Sequence, residues 1–249
     1  MNTKIKDIVR SLTLKEKARL CSGNGNWYTV AFDQKGVPTI MMTDGPHGLR
    51  KQIGEADHLG LSQSEPATCF PAACAMANSW NVGLMHEVGN ALGDECLAQD
   101  ISVLLGPGIN MKRSPLCGRN FEYFSEDPYH TAHMAAALVQ GVQERGIGCA
   151  VKHFALNNQE TDRMTIDVQA DERALREIYL QAFAYVVKHA KPWMIMCAYN
   201  RLNGAFCSEN GRLLREILRE EWGFEGLTVS DWGAVDDRVA ALRAGLDLE

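Results

Sequence analysis

The sequence predicts an α/β fold built on a mostly parallel sheet, and three observations predict it. Short apolar, β-prone segments alternate with longer segments of helical period along the chain. Those apolar segments lack polar alternation, so both of their faces must be covered, as in a barrel or a doubly wound sheet. A length of 249 residues with 46% hydrophobic content suits a single domain with one sizeable core. No G-x-G-x-x-G follows the first strand, which argues against a nucleotide-binding sheet.

The elements follow in order. Thr13 with Glu16 three residues later has the capping-box pattern, so a first helix runs from there to about Cys21. Strands are expected at Thr39–Thr43, Ala72–Ala77, Ser102–Leu105, Cys149–Val151, Met194–Ala198 and Leu227–Ser230. Helices are expected between them at Val82–Gln99, Pro128–Arg145, Asp171–His189, Asn210–Trp222 and Asp236–Ala244. Asp127 before Pro128 fits an N-cap followed by proline at the first helical position, and Asp171-Glu172 opens the next helix. Lys51–Thr68, with its glycines and mixed charge, reads as a loop. Ala244–Glu249 reads as the opening of one more strand, so the chain is expected to be the N-terminal portion of something longer.

The formal charge of −6 is spread along the chain without a Lys/Arg block, so neither nucleic acid nor a membrane surface is an expected partner. No apolar run approaches a membrane span, and the N-terminus is polar. The eight cysteines form no C-x-x-C pair, and several sit inside apolar runs. That usage fits reduced thiols in a cytoplasmic protein. His58, His86, His130, His133 and His189 lack metal-ligand spacing, and neither a metal nor another cofactor is expected.

Four expected strands exchange apolar for polar residues at their ends, leaving Asp44, Lys152, His153, Tyr199 and Asp231 just beyond them. In a parallel barrel all strand C-termini open on one face, where these side chains would converge. Any one of them could cap a helix or turn the chain. Lys152-His153 directly after buried residues is hard to explain as structure alone, because a buried cation must be paired or bind something.

Thr43-Asp44-Gly45-Pro46-His47-Gly48-Leu49-Arg50, Gly118-Arg119-Asn120-Phe121-Glu122, Lys152-His153-Phe154-Ala155, Gln159-Glu160-Thr161-Asp162-Arg163, Ala198-Tyr199-Asn200 and Ser230-Asp231-Trp232 together resemble the N-terminal barrel of glycoside hydrolase family 3, in its β-glucosidase branch. The resemblance spans nearly the whole chain in order. It implies a (β/α)8 TIM-like barrel over residues 1–249, stopping at or within its last strand, with the family's C-terminal α/β sandwich absent. It also implies retaining hydrolysis of terminal, non-reducing β-D-glucosyl residues. Carried over by position, Asp231 is the expected nucleophile. Asp44, Arg119, Lys152, His153 and Arg163 are expected to hold the sugar's hydroxyls, with Tyr199 beside Asp231 and Trp232 as an apolar wall. Cations such as Arg163 or Lys152 would favour ionised Asp231. Glu122 and Glu160 either act on the sugar or pair with Arg119 and Arg163 to orient them.

The resemblance places the general acid/base on a glutamate in the later sandwich domain, beyond Glu249. A retaining enzyme keeps its carboxyl groups about 5 Å apart, so that domain would have to fold over the barrel mouth. A second branch of the family carries its acid as an Asp-His pair after the Lys-His segment; Leu156–Arg163 lacks the second histidine and the glycine-rich turn, which leaves Glu160 or Asp162 open only as an unorthodox acid. The expected ligand is a β-glucoside or small oligosaccharide, with glucose, xylose and arabinose all open. Competing readings are a carbohydrate-binding barrel without efficient catalysis and a metal-dependent barrel hydrolase. The latter would need His-x-His after the first strand, where Thr43-Asp44-Gly45 stands instead.

Overall fold

The structure, a computed structural model, describes residues 3–54 and 62–249. The chain opens with α1 (Thr3–Ser11) and α2 (Leu14–Leu20). At the start of α2 the capping box forms as expected: Thr13 Oγ1 accepts from Glu16 N–H, and Glu16 Oε2 accepts from Thr13 N–H at 2.7 Å. A small antiparallel hairpin follows, β1 (Gly23–Asn24) and β2 (Tyr28–Thr29), and then the first parallel strand, β3 (Met42–Thr43). His58 and the middle of the Lys51–Thr68 loop lie outside the described residues; at its flanks Gln52 bridges Ser64.

Ala72–Ala77, expected as a strand, is instead the short helix α3 (Ala73–Ala77). Its residues include three alanines and a methionine and no β-branched side chain, so the local propensity for helix wins over the apolar run. Except for three two-residue strands that the sequence did not predict, Asp167–Val168, Arg201–Leu202 and Ala205–Phe206, the remaining elements fall within a few residues of expectation. They are α4 (Val82–Ala98), β4 (Val103–Leu104), α5 (Pro128–Glu144), β5 (Gly148–Phe154), a short β6 (Asp167–Val168), α6 (Glu172–Ala174) and α7 (Gln181–His189). Then come β7 (Met194–Cys197), the hairpin β8 (Arg201–Leu202) and β9 (Ala205–Phe206), β10 (Leu227–Val229) and α8 (Arg238–Ala244). Residues 175–179, between α6 and α7, and 212–221, before β10, are wound as π-helix. Asp127 and Asp171 cap their helices by accepting from His130 N–H and Ala174 N–H, the structural role expected of both.

The parallel sheet runs β10-β7-β5-β4-β3, a TIM-like barrel wall covered by helices. Beyond β10, Leu248 bridges Val229 in parallel, so the expected last strand pairs at Leu248, while Ala244 and Gly245 belong to the end of α8. The N-terminal hairpin closes the ring. Gly23 N–H donates to Glu249 C=O at 2.8 Å and Glu249 N–H to Cys21 C=O at 3.0 Å. On the far side of the hairpin, Met42 N–H donates to Trp27 C=O at 2.8 Å.

Strand period two sorts the core into two compartments. Met42, Val103, Leu105, Ala150, Met194, Met196, Val229 and Leu248 point into the barrel, and Trp27 of the hairpin fills the space among them. Their neighbours Leu104, Cys149, Val151, Ile195 and Cys197 point outward into the larger cluster under the helices. There α4 and α5 approach closely: a Cβ on Gly141 would lie 2.2 Å from His86 C=O, so only glycine permits that crossing.

Candidate active site

The interior positions on three strands dictate what happens at their C-terminal ends. Asp44 lies two residues beyond interior Met42, Lys152 two beyond Ala150, and Asp231 two beyond Val229. Continuing the same alternation carries all three side chains inward, just above the last apolar layer. His153 would then turn outward. The register of β5 against β7 shifts between Val151 and Phe154, however, and this irregularity turns His153 inward as well while Phe154 resumes its place in the outer core. Asp44 is kept in position by the turn after it, where Gly45 has φ +114° and a Cβ would sit 2.1 Å from the Gly48 carbonyl oxygen.

The result is a pocket of about 190 Å³ lined by Asp44, Arg119, Lys152, His153, Arg163, Met196, Tyr199, Asp231 and Trp232. All eight candidate site residues named from the sequence meet there, although they come from six segments. Larger hollows exist, one of them sharing Asp231 and Trp232, but none of these gathers all of these charges, and chemistry rather than size selects the smaller one. Its volume lies below the usual range for drug-sized ligands, about 300 Å³ upward, and suits a smaller polar molecule.

Lys152 is buried and neutralised on two sides, by Asp44 Oδ1 at 3.0 Å and Glu122 Oε1 at 3.1 Å. Burial alone would lower its pKa, but Asp44 and Glu122 reverse the shift and hold it charged. Arg119 donates from Nε and Nη2 to the same Glu122 Oε2, at 2.8 and 2.7 Å. Burial opposes ionisation of Glu122 as well. The surrounding Lys152 and Arg119 more than offset it and keep the carboxyl well below the usual range. Glu160 Oε2 accepts from Arg163 Nη1 at 2.7 Å, and the Arg163 guanidinium covers the Tyr199 ring at 4.5 Å. Of the two roles open to Glu122 and Glu160 from the sequence, the geometry is that of orienting the arginines, with Glu122 also holding Lys152.

His153 is held by groups that the sequence did not single out. Asn110 makes two bonds to its backbone, Nδ2 to C=O at 2.9 Å and Oδ1 from N–H at 2.8 Å. Arg119 Nη2 lies 2.8 Å from His153 Nε2 and can only donate, so Nε2 is the acceptor and the ring proton sits on Nδ1. Nδ1 faces the Tyr123 hydroxyl at 3.1 Å, which also receives Asn157 Nδ2 at 3.0 Å. Burial, reinforced by Arg119, pushes the His153 pKa well down and keeps the imidazole neutral. Tyr123, Asn110 and Asn157 carried no signal of their own: their residue types are ordinary, and only proximity in space gives them a role.

Asp231 is almost fully enclosed. Its Oδ1 accepts from Trp232 N–H at 2.9 Å, its Oδ2 lies 3.6 Å from His153 Nε2, and Tyr199 hydrogen-bonds to it. Burial raises its pKa, and this outweighs the lowering by Lys152, Arg119, Tyr199 and the Trp232 amide. The expected cationic help is therefore present, chiefly from Lys152 and Arg119, but desolvation is larger. Trp232, the pocket wall, donates Nε1–H to Asn26 C=O at 3.0 Å and meets Trp27 edge to face at 4.8 Å.

The arrangement offers one enclosed carboxylate surrounded by fixed donors and acceptors for hydroxyl groups. Three other carboxylates close to it, Asp44, Glu122 and Glu160, each already engage a cation. Comparison with known proteins places the site in a family. Residues 24–249 match the glycosyl hydrolase family 3 N terminal domain. A thermostable beta-glucosidase B of Acetivibrio thermocellus is 58% identical over 249 residues, covering 100% of this chain and 33% of that protein. An exo-alpha-(1->6)-L-arabinopyranosidase of Bifidobacterium longum is 54% identical over 242 residues, 97% of this chain and 32% of its own length. The solved beta-glucosidase 3B of Thermotoga neapolitana in complex with glucose superposes with a TM-score of 0.92 at 46% identity, covering 98% of this chain and 36% of that one. The chain thus spans about a third of the length of these relatives.

Proposed function

We propose, because the chain belongs to glycosyl hydrolase family 3, that it is the nucleophile-bearing barrel of a retaining, exo-acting β-glycosidase. The substrate class is a terminal, non-reducing β-D-glucosyl residue. The observation that carries the reading is the enclosed Asp231 at the end of β10, facing a pocket that also holds Asp44, Arg119, Lys152, His153 and Arg163. In this mechanism Asp231 attacks the anomeric carbon, the glycosidic C–O bond breaks, and a glycosyl-aspartate ester forms. Water then attacks the same carbon and releases the ester.

The other groups support those steps. Asp44 accepts hydrogen bonds from sugar hydroxyls, while Lys152, Arg119 and Arg163 donate charged ones that can tighten as the oxocarbenium-like transition state develops. Tyr199 and the Trp232 amide stabilise the ionised nucleophile, and the Trp232 indole supplies an apolar face for the ring. The nearby carboxylates Asp44, Glu122 and Glu160 are engaged by cations, so the proton for the leaving group comes from a carboxylic acid outside these 249 residues. The relatives, about three times as long, have room for such a partner.

The test has two arms on the 249-residue chain. A 2-fluoro glucoside with a good leaving group should leave a covalent adduct on the peptide containing Asp231, read by mass spectrometry. Without its acid the chain should also turn over cellobiose about 10²–10⁴-fold less efficiently than the full-length enzyme, with a much smaller loss on dinitrophenyl β-glucoside. A tryptic map with no adduct at Asp231 would overturn the nucleophile assignment, and equal efficiency on both substrates would overturn the external acid. Xylosides and arabinosides in the same assays decide the sugar.

A further inference from the structure

We infer that Trp27, in the N-terminal hairpin and 205 residues away from it in sequence, is a positioning residue for the pocket wall Trp232; the inference rests on the glycosidase reading above. Trp232 is anchored from one side only by β10. Its indole plane is set by two contacts from the hairpin: the bond of Nε1–H to Asn26 C=O at 3.0 Å and the edge-to-face contact with Trp27 at 4.8 Å and 85°. Trp27 is itself over-determined. It is buried among Met42, Leu105, Met196 and the other interior strand residues. Its Nε1–H donates to Gln52 Oε1 at 2.9 Å, and its C=O accepts from Met42 N–H at 2.8 Å.

The placement matters because Trp232 and Asp231 line two cavities. One is the charged pocket; the other is a hollow of about 420 Å³ lined in part by Arg19, Asn26, Tyr28 and Arg238. Trp232 is therefore a partition, with sugar chemistry on one side and open volume on the other. A side chain with space on its far side stays put only if something holds it there. Trp27 is the aromatic group that does so, and a T-shaped aromatic pair has a defined angular preference that an aliphatic chain lacks. Trp27 touches no reacting atom in this scheme; it acts through Trp232, whose rigidity sets how closely the sugar ring is held against Asp231.

The test is a double-mutant cycle in the full-length enzyme, with Trp27→Leu, Trp232→Ala, both together, and Trp27→Phe, assayed on an aryl β-glucoside. Edge-to-face pairs are worth enough for Trp27→Leu to lower kcat/KM about threefold to tenfold. Trp27→Phe, which keeps an aromatic edge and loses the Gln52 bond, should restore most of that. If Trp27 acts through Trp232, adding Trp27→Leu to Trp232→Ala costs little more than Trp232→Ala alone. Multiplicative losses in the double variant would overturn the inference. So would a Trp27→Leu enzyme as active as wild type, or equal losses in the Leu and Phe variants that follow their melting temperatures. Failure of wild type to hydrolyse any β-glycoside would instead refute the proposed function.

Discussion

Replacing Glu122 by glutamine is the most demanding test of the charge network. The Glu122 carboxylate takes Lys152 on one oxygen and both Nε and Nη2 of Arg119 on the other, all within 3.1 Å, in a site where Glu122 is only 7% exposed. An amide can accept on one side alone; on the other its NH2 would face a donor. Breaking a buried ion pair by removing one partner costs about 3–5 kcal/mol. Here each cation retains a second anion, Lys152 with Asp44 at 3.0 Å and Arg119 with Glu160 at 4.0 Å. The expected cost is therefore about 2–3 kcal/mol, toward or below the lower end of that range. At about 2–4 °C per kcal/mol for a chain of this length, Tm should fall by about 4–12 °C. The exposed Glu126→Gln is the control and should leave Tm nearly unchanged. The pH dependence follows from the depressed pKa of Glu122. The stabilisation is complete above the unfolded-state value of about 4.3 and is lost as the pH falls from there toward the native value. Melting curves at neutral pH should show the full difference between wild type and variant, and those in strong acid a shrinking one. A neutral-pH Tm within about 2 °C of wild type would refute the reasoning, because the pair would then contribute no more than an exposed one.

Two further outcomes follow from the same geometry. Burial raises the Asp231 pKa, so its ionisation destabilises the folded chain above the native pKa and ceases to do so as the pH falls through it. Asp231→Asn should accordingly melt higher than wild type at neutral pH, with the gap closing in acid; a lower Tm at neutral pH would contradict this. For the thiols, burial pushes Cys96 and Cys207 up to about 12, whereas Cys69 is exposed and Cys21 and Cys74 are half-buried. A chromogenic disulfide reagent should modify Cys69 first and the five buried cysteines only on denaturation, and a buried one reacting as fast as Cys69 would refute the packing.

Much of the site was legible because strand ends concentrate information. Asp44, Lys152 and Asp231 each follow an interior apolar residue by two positions, a pattern visible without coordinates once the strands are recognised. The irregularity in β5 that turns His153 inward was not visible, since nothing in Lys152-His153 itself distinguishes a regular strand from a shifted one. Ala72–Ala77 misled because an apolar run of small residues fits a buried strand and a short helix alike. The support around His153 was hidden for another reason: Asn110, Tyr123 and Asn157 gain their roles only across sequence separations of 30 to 43 residues to His153 or to one another. The N-terminal hairpin was missed because each of its strands is two residues long, too short to show a period.

That hairpin also governs how the molecule opens. Between β5 and β7 the barrel wall is knit by registered parallel strands, but the seam where the hairpin meets the β3 side has few backbone bonds, among them Met42 N–H to Trp27 C=O and Thr29 N–H to Ile40 C=O. Amide exchange should therefore be fastest along this line and slowest in β5 and β7, since local opening starts where cooperative pairing is thinnest. An opening of the hairpin there would free the Asn26 C=O from Trp232 Nε1–H, while the Trp27 ring stays packed among the interior strand residues. The fluctuation of one seam thus becomes a fluctuation of one wall.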